Sequence, residues 1–445
     1  MKETVRQSVG AGKVENAQPE LVQIEKPIYG GDFLARVEGK AVFVPLTLPG
    51  EQARIRVTQD KRGYATAEAE EIVSAAAERV APGCLHFGIC GGCHYQHAHY
   101  PAQLGFKKAI LRETLERGGV AVPAEIDVIA AEPWGYRNRI RLAFDAAGDP
   151  GYRGRGSHAV IPVSECPIAA PLLLRAAQAF AEIARQIAPA LRPSEIALFC
   201  NAEESSLLAT VFTANARKIR FDELAISLQQ RIPELQGAEL VLEGRSGQPS
   251  RTVAQWGAQS LNYQAAGFDY RVDHGAFFQV NRWLVDGLVE RVVAQHTGKL
   301  AWDLFAGVGL FARQLTSRFA RVIAVESAPA STQALTANLK GTNGIPVRAA
   351  TLDYLRRPRQ SDRPDQVVPD LVVVDPPRMG LGAETTALLA AVAAPALAYV
   401  SCDPATLARD LCALIASGYA IESIAVADLF PQTFHLETVV QLRRA

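Results

Sequence analysis

KLAWDLFAGVGLFARQL, residues 299–315, decides the fold. An apolar run ending at Leu304 meets Gly307 and Gly309, and a helical pattern follows. This is a strand that enters a helix through a glycine turn, where a ligand can approach the backbone at the helix N-terminus. The next strand, RVIAVE (321–326), ends on Glu326. An acid in that place can accept hydrogen bonds from ribose hydroxyls. A dinucleotide fingerprint would want a third glycine, and Leu310 and Phe311 stand there instead. The missing glycine favours S-adenosylmethionine (SAM) over NAD.

Outward from this stretch, strands alternate with helices from about residue 275 to the end, which predicts a doubly wound, mostly parallel sheet. LVVVDPPRMG (371–380) puts Asp375 at the carboxyl end of a continuous apolar strand. The two prolines that follow remove backbone donors and fix the loop. LAYVS (397–401) reads as the next strand, so Cys402 falls at the same sheet edge. Asp403 suits a helix N-cap and Pro404 the first helical turn. The positive end of that helix is expected to favour thiolate over thiol. Cys200 and Cys412 read as structural by comparison.

A thiolate facing SAM points to one chemistry. C5 of a uracil or cytosine ring is too weak a nucleophile to take the sulfonium methyl directly. Addition of sulfur at C6 places electron density on C5, which then accepts the methyl. A base must afterwards remove the C5 proton so that the thiol can leave. LFPQTFHLETVVQL (429–442) offers Glu437 near the start of an apolar strand, where partial desolvation would make it a better base.

The rest of the chain bounds this reading. At 445 residues, two or three domains are expected. Lys+Arg and Asp+Glu both number 46, so net charge names no partner. Basic residues do concentrate between Phe33 and Arg62 and between Trp134 and Arg155, segments that suit a phosphate backbone. The N-terminus has no apolar signal core, and the longest apolar stretch, 387–400, is too short to span a bilayer. A cytoplasmic protein with no membrane association is therefore expected, in which seven cysteines are not structural disulfides. Residues 1–19 read as a frayed tail. Residues 20–75 read as short strands separated by Gly-Gly, Glu-Gly and Pro-Gly turns, which fits a five-stranded OB-type barrel. In ARIRVTQ (53–59), Arg54 and Arg56 alternate with apolar residues, so one face is expected to be basic.

CLHFGICGGCHYQHAHY (84–100) holds Cys84, Cys90 and Cys93, with Cys166 as a distant fourth ligand candidate. Four thiolates suit zinc or an iron–sulfur cluster, and the neighbouring histidines keep zinc open.

DPPRMG, YVSCDPATLARDL, LFPQTFHLETV and HGAFFQVNRWLVDGLVERV (274–292) together resemble the RNA 5-methyluridine (uracil-C5) methyltransferases. The resemblance is ordered and runs from about residue 20 to 445, and the N-terminal part is similar to a TRAM domain, an RNA-binding OB-type barrel. It implies an α/β plus β architecture: a class I SAM-dependent methyltransferase sheet over 271–445, a mixed α+β central domain over 76–270, and the barrel over 20–75. A helix near 100–120 is expected to pack on the catalytic domain. By similarity Cys402 is the nucleophile and Glu437 the proton acceptor. Gln279, Phe305, Gly307, Gly309, Leu310, Glu326 and Asp375 would line the SAM and uracil pocket. Leu310 departs from an Asn found in many relatives, and Asp403 stands for the usual Asn after the nucleophile. The cysteine spacing is similar to the [4Fe–4S] site of the ribosomal-RNA branch, which makes 23S ribosomal RNA the expected substrate of a monomeric enzyme. Transfer RNA, a cytosine-C5 reaction, an NAD-binding oxidoreductase and a non-catalytic RNA-binding assembly factor are the competing readings.

Overall fold

The computed structural model describes residues 18–216, 219–244, 248–357 and 367–444. Most of the expected N-terminal tail lies outside the described residues. The described residues divide into two compact units: those within 18–88, 92–110 and 432–434 form one, and those within 89–91, 111–431 and 435–444 the other.

The first unit holds β1 (Glu20–Gln23), β2 (Lys26–Pro27), β3 (Asp32–Val37), β4 (Lys40–Pro45), β5 (Gln52–Asp60) and β6 (Ala65–Ser74). They form a six-stranded sheet in the order β1-β5-β6-β4-β3-β2. Its core is built by Val22, Phe33, Val42, Val44, Ile55 and Tyr95. The strand count exceeds the expected five by β2, which is two residues long. Along β5, Ala53 and Ile55 are buried while Arg54 and Arg56 face solvent, as the alternation predicts. That face is not a bare basic strip, however. Arg54 pairs with Glu71 and Arg56 with Glu70 across the β5–β6 ladder. These exposed pairs are screened and add little stability, but they neutralise the surface locally. Helix α1 (Tyr100–Arg117) follows, and the division between the units falls inside it.

In the second unit β7 (Asp127–Ile129) comes first, then β8 (Arg139–Phe144), β9 (Pro150–Arg153), β10 (Val160–Pro162), α2 (Pro171–Ile187), β11 (Pro193–Cys200), β12 (Leu207–Thr213), α3 (Phe221–Arg231), β13 (Leu235–Leu242) and β14 (Arg251–Gly257). Strands β8 to β14 make a seven-stranded sheet, β10-β9-β8-β11-β12-β13-β14. Helices α2 and α3 cover one face through Leu173, Phe180, Leu224 and Leu228. The basic run on β8 is largely engaged within the fold. Arg139 lies 4.3 Å over the Phe199 ring and donates to the Ala276 carbonyl, and burial pulls its pKa down to about 10. Arg141 and Arg153 both pair with Glu195.

A hairpin of β15 (Ser260–Ala265) and β16 (Phe268–Asp273) leads to α4 (Val285–Val293) and the last sheet. Its elements are β17 (Gly298–Leu304), α5 (Leu310–Leu315), β18 (Phe319–Glu326), α6 (Pro329–Asn338), β19 (Gly344–Arg348), α7 (Thr351–Leu355), β20 (Leu371–Val374), α8 (Ala383–Val392), β21 (Ala396–Ser401), α9 (Pro404–Ala416), β22 (Tyr419–Ala427) and β23 (Glu437–Arg444). The sheet order is β19-β18-β17-β20-β21-β23-β22-β7. The first five strands of this order are parallel, and β23 is antiparallel to both β21 and β22. Val322, Val372, Val373, Leu397 and Val440 are fully buried, as helices on both faces of a parallel sheet require. Strand β7 falls within the segment read as the central domain, yet it pairs in parallel with β22 at the edge of this sheet.

The glycine turn is anchored from beneath. Asp303 is fully buried, and its Oδ2 accepts the Ala312 N–H at 2.8 Å. Burial, with smaller contributions from Asp375 and Glu326, pushes its carboxyl up to about 8. Because the folded state holds this proton more tightly than the unfolded chain does, stability falls as pH rises from about 4 towards 8. Asp303→Asn keeps an acceptor for Ala312 without the charge. It should melt at or above the wild-type temperature at pH 8, and Asp303→Ala should lose about 1–3 kcal/mol because the Ala312 N–H is left unpaired. Thermal melts at pH 5 and pH 8 check both outcomes.

Candidate active site

The register of the sheet assembles the reactive groups. Ser401 pairs with Thr438 across β21 and β23. Continuing this antiparallel register by one step sets Cys402 opposite Glu437. On the other side of β21, Val374 pairs with Tyr399 and also with Leu304 of β17. Asp375 and Phe305 therefore leave neighbouring strands at the same edge.

The chain around Cys402 is fixed by short polar contacts. Asp403 is the N-cap of α9, and its Oδ1 accepts the Ala405 and Thr406 N–H groups at 3.0 and 2.9 Å. The Ser401 hydroxyl bonds to the backbone of Asp403. Thr406 Oγ1 donates to the Arg378 carbonyl, which ties helix α9 to the DPPRMG loop. Asp410, buried on α9, accepts from the Leu381 N–H and the Tyr399 hydroxyl and holds the far end of that loop. Gly380 sits there at φ 69°, and a Cβ on it would lie 2.5 Å from Asp410 Oδ2. Both the conformation and the close approach require glycine.

The electrostatics run against the expectation that helix α9 would favour the thiolate. Burial pushes the Cys402 thiol up to about 11, and Glu437 and Asp375 add to the rise while Arg378 opposes it. Glu437 is only 6% exposed, and burial followed by Asp375 raises its pKa well above the usual carboxylate range, again opposed by Arg378. Burial also lifts Asp375 to about 7. The helix dipole and cap contribute a fraction of a unit charge, which is smaller than two nearby carboxyls in a partly dry site. Arg378 itself is placed by His435, 3.2 Å from its guanidinium. Guanidinium has no acceptor, so His435 Nδ1 accepts that hydrogen bond.

A cavity of about 200 Å³ adjoins this edge, lined by Phe305, Glu326, Ser327, Thr351, Leu352, Pro377, Leu381 and Thr385 among others. Phe305 holds φ 67° at the turn. Glu326 Oε2 accepts the Gly307 N–H, and Oε1 accepts from Ser327 and Ala328. A carboxylate has about four acceptor positions, so one remains for a ribose hydroxyl. Apolar walls, an acid at the end of β18 and a glycine turn fit the adenosyl end of SAM. Gly309, at φ 93°, would bring a Cβ within 2.7 Å of Leu335.

Of the seven expected pocket residues, Phe305 and Glu326 line this cavity, whereas Gln279, Gly307, Gly309, Leu310 and Asp375 are not part of its lining. The Leu310 side chain is buried in the hydrophobic core and does not line the cavity, which explains how an apolar residue is tolerated there. Gln279 is buried outside this lining; its carbonyl accepts from Asn138 Nδ2, and its amide makes no hydrogen bond among the described residues. Sequence reading missed Thr351 and Leu352, although the strand-to-helix junction after GIPVR lies on the same sheet edge. It also passed over Arg378, whose signal was its place directly after the two prolines. Cys200 is buried as expected, whereas Cys412 is partly exposed and donates to the Gly118 carbonyl.

The four cysteines read as metal ligands divide between the units. Cys90 and Cys166 both act on the Tyr152 hydroxyl, which hydrogen-bonds to Cys166 and is raised chiefly by burial. Cys84 and Cys93 belong to the other unit. Among the described residues no group of three or more His, Cys, Asp or Glu side chains is gathered closely enough to hold a metal ion.

Comparison with known proteins agrees with the site. The family model for tRNA (Uracil-5-)-methyltransferase matches residues 99–445, and the TRAM domain model matches 13–69. The chain is 33% identical to a 23S rRNA (uracil(1939)-C(5))-methyltransferase of Chromohalobacter salexigens, over 99% of this chain and 93% of that one. It is 31% identical to an uncharacterized RNA methyltransferase of Nitratidesulfovibrio vulgaris, over 93% of each. The crystal structure of a Pyrococcus abyssi tRNA (uracil-54, C5)-methyltransferase in complex with S-adenosyl-L-homocysteine shares the fold. It superimposes with a TM-score of 0.75 at 22% identity, covering 95% of this chain and all of that one. The sheet order, the electrostatic contact between Cys402 and Glu437, and these matches lead to one assignment: the chain belongs to the uracil-C5 RNA methyltransferase family and carries a TRAM domain.

Proposed function

We propose that the protein methylates C5 of a uridine in 23S ribosomal RNA, with Cys402 as the nucleophile and Glu437 as the base that removes the C5 proton. The observation that carries this reading is the register ending at Ser401 opposite Thr438, from which Cys402 and Glu437 are each one step away, with the Glu437 charge acting on the Cys402 thiol. When bound, SAM supplies an electrophilic methyl group on a positively charged sulfur. The Cys402 thiol gives up its proton, and Asp375, lifted to about 7, is the nearby group able to take it near neutral pH. The Cys402 thiolate adds to C6, and the electron pair moves to C5, which takes the methyl. Glu437, once it has released to solvent the proton that its raised pKa retains, accepts the C5 proton as a carboxylate, and the C6–S bond breaks to return the thiolate. Burial makes Glu437 a stronger base than an exposed glutamate, and Arg378 offsets part of the charge that Cys402 and Glu437 gather. Phe305, Gly307 and Glu326 are assigned to the cofactor.

The ribosomal substrate rests on the name of the Chromohalobacter relative. No helix among the described residues is long and apolar enough to cross a membrane. We place the enzyme in the cytoplasm as a monomer, with the TRAM barrel and central segment on the RNA. Cys84, Cys90, Cys93 and Cys166 are proposed to hold a [4Fe–4S] cluster. The all-thiol donor set and the shared neighbourhood of Cys90 and Cys166 support this, and no step of the methyl transfer runs through it.

Cys402→Ala should abolish turnover and also covalent capture by 5-fluorouridine-containing RNA. Glu437→Gln should still form the adduct but lose about 10²–10⁴-fold in turnover. A protein–RNA band on denaturing gels with Glu437→Gln and none with Cys402→Ala is the expected pattern; no band with either variant removes the assignment of the base. For the substrate, total RNA from a strain lacking the gene should gain 5-methyluridine in 23S ribosomal RNA on incubation with enzyme and SAM. Methylation confined to transfer RNA, or found on cytosine, would replace this reading. For the cluster, protein purified without oxygen should be brown and carry about four iron atoms and four sulfides per chain. Colourless, zinc-loaded protein would end the iron–sulfur proposal.

A further inference from the structure

Two stretches singled out in the sequence, WGYRNRIRLAF and FFQVNRW, lie side by side in the second unit. Arg137 bridges Asn281, and the Arg282 N–H donates to the Tyr136 carbonyl. At their junction Trp283 keeps 44% of its surface exposed, a large share for an indole. It is nevertheless held at three points. Its backbone N–H donates to Asn281 Oδ1 at 3.0 Å, and its Nε1 donates to the Trp134 carbonyl at 3.1 Å. The Arg282 guanidinium lies 4.2 Å from the ring centroid. Arg282 is fixed in turn by Glu204 and the Ala202 carbonyl. The ring is thus held by these contacts, with a cation over one face and much of the residue open to solvent.

The same anchor leads towards the reactive edge. Asn281 Nδ2 donates to the Asp428 carbonyl, and Asp428 follows Ala427, the register partner of Glu437. One hydrogen bond and one chain step thus link the Trp283 anchor to the strand that pairs with Glu437. A preordered, solvent-accessible indole suits an unstacked nucleobase, because every base has a π-face and the ring is already held by hydrogen bonds.

We infer that Trp283 is a base-stacking site for a nucleotide of the RNA substrate near the target uridine, made rigid by Arg282 and Trp134. The inference rests on the RNA-methylation reading above. The Trp283 contact selects for an unpaired base in the substrate, and it acts on binding rather than on the chemistry at Cys402.

The test uses the full-length protein and a fluorescently labelled fragment of 23S ribosomal RNA around the uridine that the Chromohalobacter relative modifies. Trp283→Ala should bind this RNA about 10–100-fold more weakly and raise KM to match, with kcat preserved. Trp283→Phe should recover most of the affinity, since an aromatic face is retained. Removing bases one at a time from the RNA should reveal one position whose loss weakens wild type and leaves Trp283→Ala unaffected. Equal binding by Trp283→Ala and wild type to an RNA that wild type methylates overturns the stacking site alone. Additive losses at every abasic position also overturn it. Failure of wild type to bind the RNA at all overturns both readings.

Discussion

Two carboxyls and a thiol share one partly dry sheet edge, where Arg378 acts on both Cys402 and Glu437. Burial opposes ionisation of Cys402, Glu437 and Asp375, and each charge formed there opposes the next. The ligand-free site is therefore held near neutrality. A bound cation would relieve that constraint. SAM brings positive charge, so the thiolate would become accessible when the methyl donor is present. Such coupling would protect the thiol between turnovers, because the thiolate is the form that oxidises and alkylates.

The rest of the fold serves to keep these groups in place. Parallel strands β17, β20 and β21 end together, so a residue one step past each strand reaches the same edge. The antiparallel insertion of β23 brings Glu437 back along β21 from the opposite direction. Helix α9 then works as a clamp. Asp403 caps its start, Thr406 holds Arg378, and Asp410 holds Leu381. A shift in that helix would move Cys402 and Arg378 together. His435 on the Glu437 side completes the restraint on Arg378.

Much of this was legible in the sequence because it depends on local pattern. The glycine turn, the Asp375 strand end, the Asp403 cap and the Glu437 strand start all fall where short-range reading placed them. What escaped depends on partners distant in sequence. The thiol was expected to ionise easily, since a helix terminus is visible in the sequence and the neighbouring carboxyls are not. Arg54 and Arg56 were read as a basic face, but their charges are matched by Glu70 and Glu71 on the next strand. Arg139 lies inside the fold, over Phe199. Leu310, placed in the pocket by resemblance, turns into the core. The pairing of β7 with β22 needed the tertiary fold to be seen, because three residues carry no periodicity.

The neutral resting thiol is the claim on which this account turns, and it can be measured without RNA. The rate of Cys402 alkylation by iodoacetamide, followed by mass mapping of the Cys402 peptide as pH is raised, reports its ionisation in the ligand-free protein. A midpoint clearly above the ordinary thiol value of about 8.5, moving down in Glu437→Gln, is the expected result. A midpoint at or below about 7.5, the range of thiols activated by neighbouring charge, would contradict it.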